Sequence, residues 1–196
     1  MGRPSVKEER AALILNAFEA CVAKYGVEGA TLQKIADEAG LARALLRHHI
    51  GNREELLNAL VDRFMLRSNE SLVALVEALP AQNRLAALID ILFDPQYASS
   101  NSDVLIAEAL IAASQTRPEL KERIVTWYQR FDDVISNEAR HAVPEAEEEE
   151  INIFSTGVIG IYFNVDSFGL LGAMPKLRER SHLAAVSLLK VLMNKT

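Results

Sequence analysis

The stretch TLQKIADEAGLARALLRHHIGNREEL, Thr31 to Leu56, decides how this chain is read. It predicts two short helices joined by the tight turn Ala39-Gly40-Leu41, where glycine supplies a positive φ at little cost. Thr31 is placed to cap the first helix. Leu32, Ile35, Ala36 and Ala39 recur there at helical spacing and share one face. The second helix runs from about Ala42 to His49 and turns Leu41, Leu45 and His49 or Ile50 inward. That leaves Arg43, Ala44, Arg47 and His48 on the outer side. Two arginines and a histidine on an exposed helix face suit phosphates and guanine edges. The same spacing also fits a solvated helical hairpin with ordinary surface arginines. Asn52, with Glu55 three residues later, forms a capping-box pattern that opens a longer helix.

Upstream, Ile14, Leu15, Phe18, Cys21, Val22 and Tyr25 recur every three or four residues, and Gly26 follows as a stop. Downstream, the helix opened at Asn52 carries Leu56, Leu57, Leu60, Val61, Phe64, Leu72, Val76 and Leu79, and Pro80 closes it. Further helices are expected at about 83–93, 103–115 and 117–142. The last of these carries Thr116 and Glu119 as a second capping box, with Pro118 in its first turn. Another is expected from Pro144 to about Phe168. Gly169, Gly172 and Pro175 then interrupt the chain before a final helix to about Met193. The fold class is therefore all-α, with about nine helices and no convincing strand. Residues 1–53 form an N-terminal three-helix unit, and 54–196 a larger helical part.

Composition excludes several classes of function. The 196 residues are 49% hydrophobic and 24% charged, a globular balance. Cys21 is the one cysteine, so no disulfide forms within the chain, which fits a reducing cytoplasm. The first ten residues lack the apolar core of a signal peptide. No run reaches membrane-spanning length; the most apolar one, 104–113, contains Glu108. The net charge of −6 divides into +2 over residues 1–53 and −8 over the rest, which places any polyanion contact at the N-terminus. No HExxH, CxxC, GxSxG or phosphate-loop pattern occurs. The adjacent His48 and His49 project to different helix faces, and His141 and His182 have no motif around them. No enzymatic activity, cofactor or metal is expected. The acidic run Glu145 and Glu147 to Glu150 reads as carboxylates meeting the positive end of a helix dipole.

The stretch Thr31 to Leu41, the Tyr25-Gly26 approach to it and the closing Ile50-Gly51-Asn52-Arg53-Glu54-Glu55-Leu56 together resemble the DNA-binding domain of the TetR family. The resemblance covers roughly residues 10–60, and beyond them only the nine-helix layout matches. It implies a ligand-responsive, sequence-specific transcriptional regulator, most simply a repressor released from a palindromic double-stranded operator by a small molecule. By position, Thr31 would cap the first motif helix and touch a phosphate. Arg43 and Ala44 would read bases, Arg47 and His48 would meet backbone and groove, and Arg53 would grip a phosphate. Four positions depart from the family pattern. Ala42 replaces a capping Ser or Thr, Leu45 a small hydroxyl residue, Arg47 a tyrosine and Ile50 a phenylalanine. These departures keep open an alternative, a helical interaction module with weak or lost DNA binding.

Ile151, Phe154, Val158, Ile161, Val165 and Phe168 form a heptad-like seam, with Gly157 and Gly160 allowing close helix approach. Leu177, Ala184, Ala185, Leu188, Leu189 and Leu192 line the final helix. These stripes fit either an intrachain core or an interface. The resemblance implies a homodimer through the last two helices. It also implies an effector pocket among the fourth to eighth helices, with Met65, Glu108, Trp127, Phe131, Tyr162, Asn164 and Asp166 as candidate lining residues. Glu108, Asn164 and Asp166 are singled out because each is polar within an apolar run, and a buried polar group needs a partner. Solvent exposure or pairing within the core is the simpler account of each.

Overall fold

The computed structural model describes residues 6–50 and 52–194, with the side chains of 6–8 and 47–50 outside the description. Among the described residues there are nine α-helices, one 3-10 turn and no strand. The helices are α1 (Val6–Gly29), α2 (Leu32–Ala39), α3 (Arg43–Ile50), α4 (Arg53–Ala78), α5 (Arg84–Phe93), α6 (Asn101–Ser114), α7 (Pro118–Ala142), α8 (Glu148–Gly169) and α9 (Leu177–Met193). The 3-10 turn Pro95–Tyr97 follows α5 and has no counterpart in the sequence reading.

Local chemistry sets most boundaries. Gly26 interrupts α1 with φ 71° and ψ 171°, at the predicted stop. The Thr31 hydroxyl accepts from the Lys34 amide at 3.4 Å and caps α2. At the other end Gly40 adopts φ 64° and ψ 31°. Its N–H bonds Asp37 O at 3.2 Å, and the Leu41 N–H bonds Ala36 O at 2.9 Å. This is a Schellman ending, which needs a left-handed residue at Gly40. Asn52 Oδ1 accepts from the Glu55 amide at 2.9 Å, and Glu55 Oε2 accepts from the Asn52 amide at 3.3 Å, the expected reciprocal cap.

Two expected starts are corrected. α7 begins at Pro118, and the Thr116 hydroxyl donates back to Ala113 O at the end of α6 instead of capping α7. α8 begins at Glu148 rather than Pro144, and the Glu147 amide donates to Glu150 Oε2 at 3.2 Å. The Glu147–Glu150 pair lies where the sequence showed only an acidic run.

The chain forms two compact units, residues 1–68 with 101–124, and 69–100 with 125–196. The unit holding α2 and α3 thus extends beyond residue 53 to take in the start of α4, α6 and the first turns of α7. In it α1 packs on α2, α3 and α6. Ile14, Phe18, Val22, Ile35, Leu46, Leu60, Ile106 and Leu110 are fully buried there. In the second unit, α9 packs on α5 and α8 around Leu88, Ile89, Ile135, Ile151, Val158, Ile159 and Ala185. A Cβ at Gly157 would come within 2.8 Å of Leu188 Cδ1, so this glycine permits the close α8–α9 approach; Gly160 meets nothing within 4 Å. Of the predicted seam, Ile151, Phe154, Val158 and Val165 are buried, Ile161 is half-buried and Phe168 is exposed.

Candidate functional site

Among the described side chains of α3, the buried one is a residue that the sequence reading missed. Leu46 is fully buried, while Leu41 and Leu45 are only half-buried. One residue along a helix is a rotation of about 100°, so moving the anchor from Leu45 to Leu46 turns the whole helix. Arg43 and Ala44 are exposed in the first turn, as the spacing predicted. Ala42 closes the turn through its carbonyl, which accepts from the Leu45 amide at 2.9 Å, and it supplies no side-chain cap. The expected contacts of Arg47 and His48, and the inward placement of His49 or Ile50, concern side chains that lie outside the described residues.

Arg53 is placed differently from the expected free phosphate grip. Its guanidinium donates to the Val27 carbonyl and lies 3.6 Å from Glu28, tying the start of α4 to the end of α1. Lys34 likewise turns inward, with Nζ donating to Gly29 O at 3.0 Å and lying 3.8 Å from the centroid of the Tyr25 ring. Thr31 is exposed at the start of α2, where its hydroxyl caps.

The same unit contains an ion network joining α1, α4 and α6. Glu19 accepts from Arg63 at 3.0 Å and from Arg67, while Arg67 also reaches Asp103 at 2.8 Å. Burial alone would raise the Glu19 pKa, but the hydrogen bonds from Arg67 and Arg63 hold it below its ordinary value. Arg117 at the α6–α7 turn pairs with Glu28 at 2.5 Å, and Arg123 in α7 pairs with Asp62 in α4 at 2.6 Å.

The candidate effector residues do not all share one setting. Met65 is half-buried and Glu108 exposed, both in the first unit. Asn164 is exposed in the second; for Glu108 and Asn164 the solvent-facing alternative therefore holds. Trp127, Phe131, Tyr162 and Asp166 come together in the second unit. The Trp127 ring lies 5.7 Å from Phe163, and the Phe131 ring 5.3 Å from Tyr162 and 6.1 Å from Phe163. Phe93 meets Tyr162 edge-on at 6.4 Å.

At the polar end of this cluster the Tyr162 and Ser99 hydroxyls lie 3.1 Å apart. Asp166 is buried beside them, with Arg178 Nη2 3.7 Å away. Burial pushes the Tyr162 phenol up to about 12, reinforced by the Asp166 charge, so the hydroxyl stays a donor. Burial likewise raises the Asp166 pKa, against the opposing pull of Ser99, Tyr162 and Arg178. The sequence showed Tyr162 and Asp166 one helical turn apart. Ser99, Phe93 and Arg178 carried no signal, because other elements deliver them.

The described residues define an architectural class: an N-terminal helix-turn-helix, with exposed residues in the first turn of its second helix, followed by a larger helical part. Residues 14–60 match the family described as bacterial regulatory proteins, tetR family. The HTH-type transcriptional repressor AcnR of Corynebacterium jeikeium (strain K411) is 30% identical over 82 residues, which span 39% of this chain and 43% of AcnR. The chain thus covers less than half the length of that relative. A structure described as a transcriptional regulator of Pseudomonas aeruginosa PAO1 superposes with a TM-score of 0.75 at 19% identity, over 94% of this chain and 90% of its own. One described as a transcriptional regulator of Saccharomonospora viridis in complex with choline gives 0.74 at 16% identity, over 93% and 96%. Those two likenesses establish the fold across both units. The likeness to that family is carried by the N-terminal part of the chain, residues 14–60.

Proposed function

We propose that this chain is a homodimeric, sequence-specific DNA-binding regulator, most simply a repressor that a small molecule releases from a palindromic operator in the cytoplasm. One observation carries the DNA-binding half: α3 is pinned by Leu46 behind a Schellman turn and presents Arg43 and Ala44 outward in its first turn. Recognition helices place their N-terminal residues against base edges in the major groove. In this reading residues 1–53 bind DNA, with Thr31, Arg43, Ala44, Arg47, His48 and Arg53 at the duplex. Arg53 would give up its Val27 and Glu28 contacts for a phosphate. Residues 54–196 bind the effector and dimerise.

Two copies are needed to place two recognition helices about one DNA turn apart. An exposed apolar stripe supports the last two helices as the interface. Ile153 and Phe168 on α8 are 62% and 51% exposed, and Leu183 and Val191 on α9 are 58% and 60% exposed. Large apolar side chains left exposed on both helices favour association. The aromatic cluster around Tyr162, with Trp127, Phe131 and Asp166, is the effector site in this reading. Met65 and Glu108 belong to the first unit and Asn164 is exposed, so this reading does not rest on them.

The test is selection from randomised duplex DNA at near-physiological salt. An enriched inverted repeat, lost when Arg43 and Arg47 are both changed to alanine, is the expected result. Retention without a motif that collapses as salt rises would reduce the reading to electrostatic binding. No retention would overturn it.

A further inference from the structure

The proposed effector site has an imbalance of hydrogen-bond donors over acceptors. Arg178 carries a full guanidinium, with five N–H donors and no acceptor. Its Nη1 is buried with no partner in the chain. Its Nη2 lies 3.7 Å from Asp166 Oδ1, close enough for an ion pair but too long for a hydrogen bond. Asp166 draws on the hydroxyls of Ser99 and Tyr162 as well as on the charge of Arg178. Arg178 Nη2 is thus committed to Asp166, while Nη1 is a buried donor left unspent.

We propose that Arg178 is the anchor of the effector site and that the effector is a small organic acid, its carboxylate on the Arg178 guanidinium and its apolar body against Phe93, Phe131 and Tyr162. The inference rests on the reading of this cluster as the effector site. A guanidinium matches a carboxylate in charge and geometry, and can hold it through two parallel N–H donors. The rings of Phe93 and Phe131, 6.4 Å and 5.3 Å from that of Tyr162, supply the apolar wall next to that polar end. A cationic ligand would have to sit against Arg178. Asp132 Oδ1 on α7, a buried acceptor also without a partner and close enough for its charge to act on Tyr128, is the competing anchor that a cationic ligand would use.

The chain's one tryptophan, Trp127, lies against Phe163 in the same aromatic cluster, so its emission reports on occupancy. The full chain is titrated with three probes of similar size: phenylacetate, 2-phenylethanol and 2-phenylethylammonium. Phenylacetate is expected to give a saturable change, at least tenfold tighter than either of the others. Arg178→Gln is expected to lose at least tenfold in phenylacetate affinity, with Arg178→Lys in between. Asp166→Asn removes a repelling charge and is expected to tighten phenylacetate binding several-fold, a gain that a purely structural pair would not produce. It also keeps the proposal testable if the Arg178 variants fail to fold.

Equal or tighter binding of the alcohol or the ammonium, or no effect of Asp166→Asn, overturns the acid-binding subsite while leaving an effector site in place. No saturable change with any probe also overturns it. The broader reading of a ligand-released regulator is judged separately, by whether any compound releases the selected operator.

Discussion

Changing Glu19 to alanine removes the carboxylate that Arg63 and Arg67 share. Its side chain is 13% exposed, and those of Arg63 and Arg67 are 27% and 37% exposed. A fully exposed pair is worth about 0–1 kcal/mol. Removing one partner from a fully buried pair costs about 3–5 kcal/mol. Here the acid is largely buried, but both arginines keep water. Arg63 retains Asn16 and Arg67 retains Asp103. The cost therefore falls between the limits, at about 2 kcal/mol, once solvent screening of the arginines is allowed for. For a chain of this length that lowers Tm by about 4–8 °C.

The pH dependence has a definite sign. Glu19 titrates below its ordinary value of 4.5 in the folded chain, so the unfolded chain binds its proton more readily. Its contribution is present above the unfolded pKa and lost as pH falls through the folded one. Thermal melts followed by circular dichroism should show the full gap between wild type and Glu19→Ala at about pH 7, shrinking as the pH falls below the ordinary value of 4.5. A gap below about 1 °C, or one that does not narrow with acid, would refute the claim that this carboxylate holds α1 to α4.

Gly40→Ala should cost about 1–2 kcal/mol, because the left-handed backbone at φ 64° is the obstacle and no atom lies within 4 Å of the added Cβ. Denaturant midpoints and operator affinity should fall together. Asn52→Ala should cost about 1 kcal/mol by removing the cap of α4, whereas Ala42→Ser should gain up to about 1 kcal/mol by adding the cap that α3 lacks. Opposite shifts in Tm check the pair, and a loss with Ala42→Ser counts against the placement of Ala42 at that cap. Ile153→Glu combined with Val191→Glu should yield monomers with unchanged helicity by gel filtration and circular dichroism. A dimer that survives both charges moves the interface off α8 and α9. Arg43→Ala should weaken operator binding by about 1–3 kcal/mol with relaxed sequence preference if it meets a base, or uniformly with a shallower salt slope if it meets phosphate.

Sequence alone determined the helix-turn-helix and its frame. The Thr31 cap, the Gly40 ending and the Asn52–Glu55 box each join groups within five residues of one another, so chain connectivity brings the partners together once a helix starts. The exposure of Arg43 and Ala44 followed from the same periodicity. Tertiary structure decided what periodicity leaves open. Leu46 rather than Leu45 anchors α3 because the inward direction is set by the surface facing it, and one residue is enough to change the answer. Arg53 has its direction from Val27 and Glu28, on another helix. Glu19 meets Asp103 through Arg67, and Tyr162 meets Ser99, across gaps of tens of residues. Arg178 reaches Asp166 because α9 folds back against α8. A cap or a turn needs only its own few residues, whereas a buried side-chain cluster exists only where separate helices pack, and no short window of sequence holds both partners.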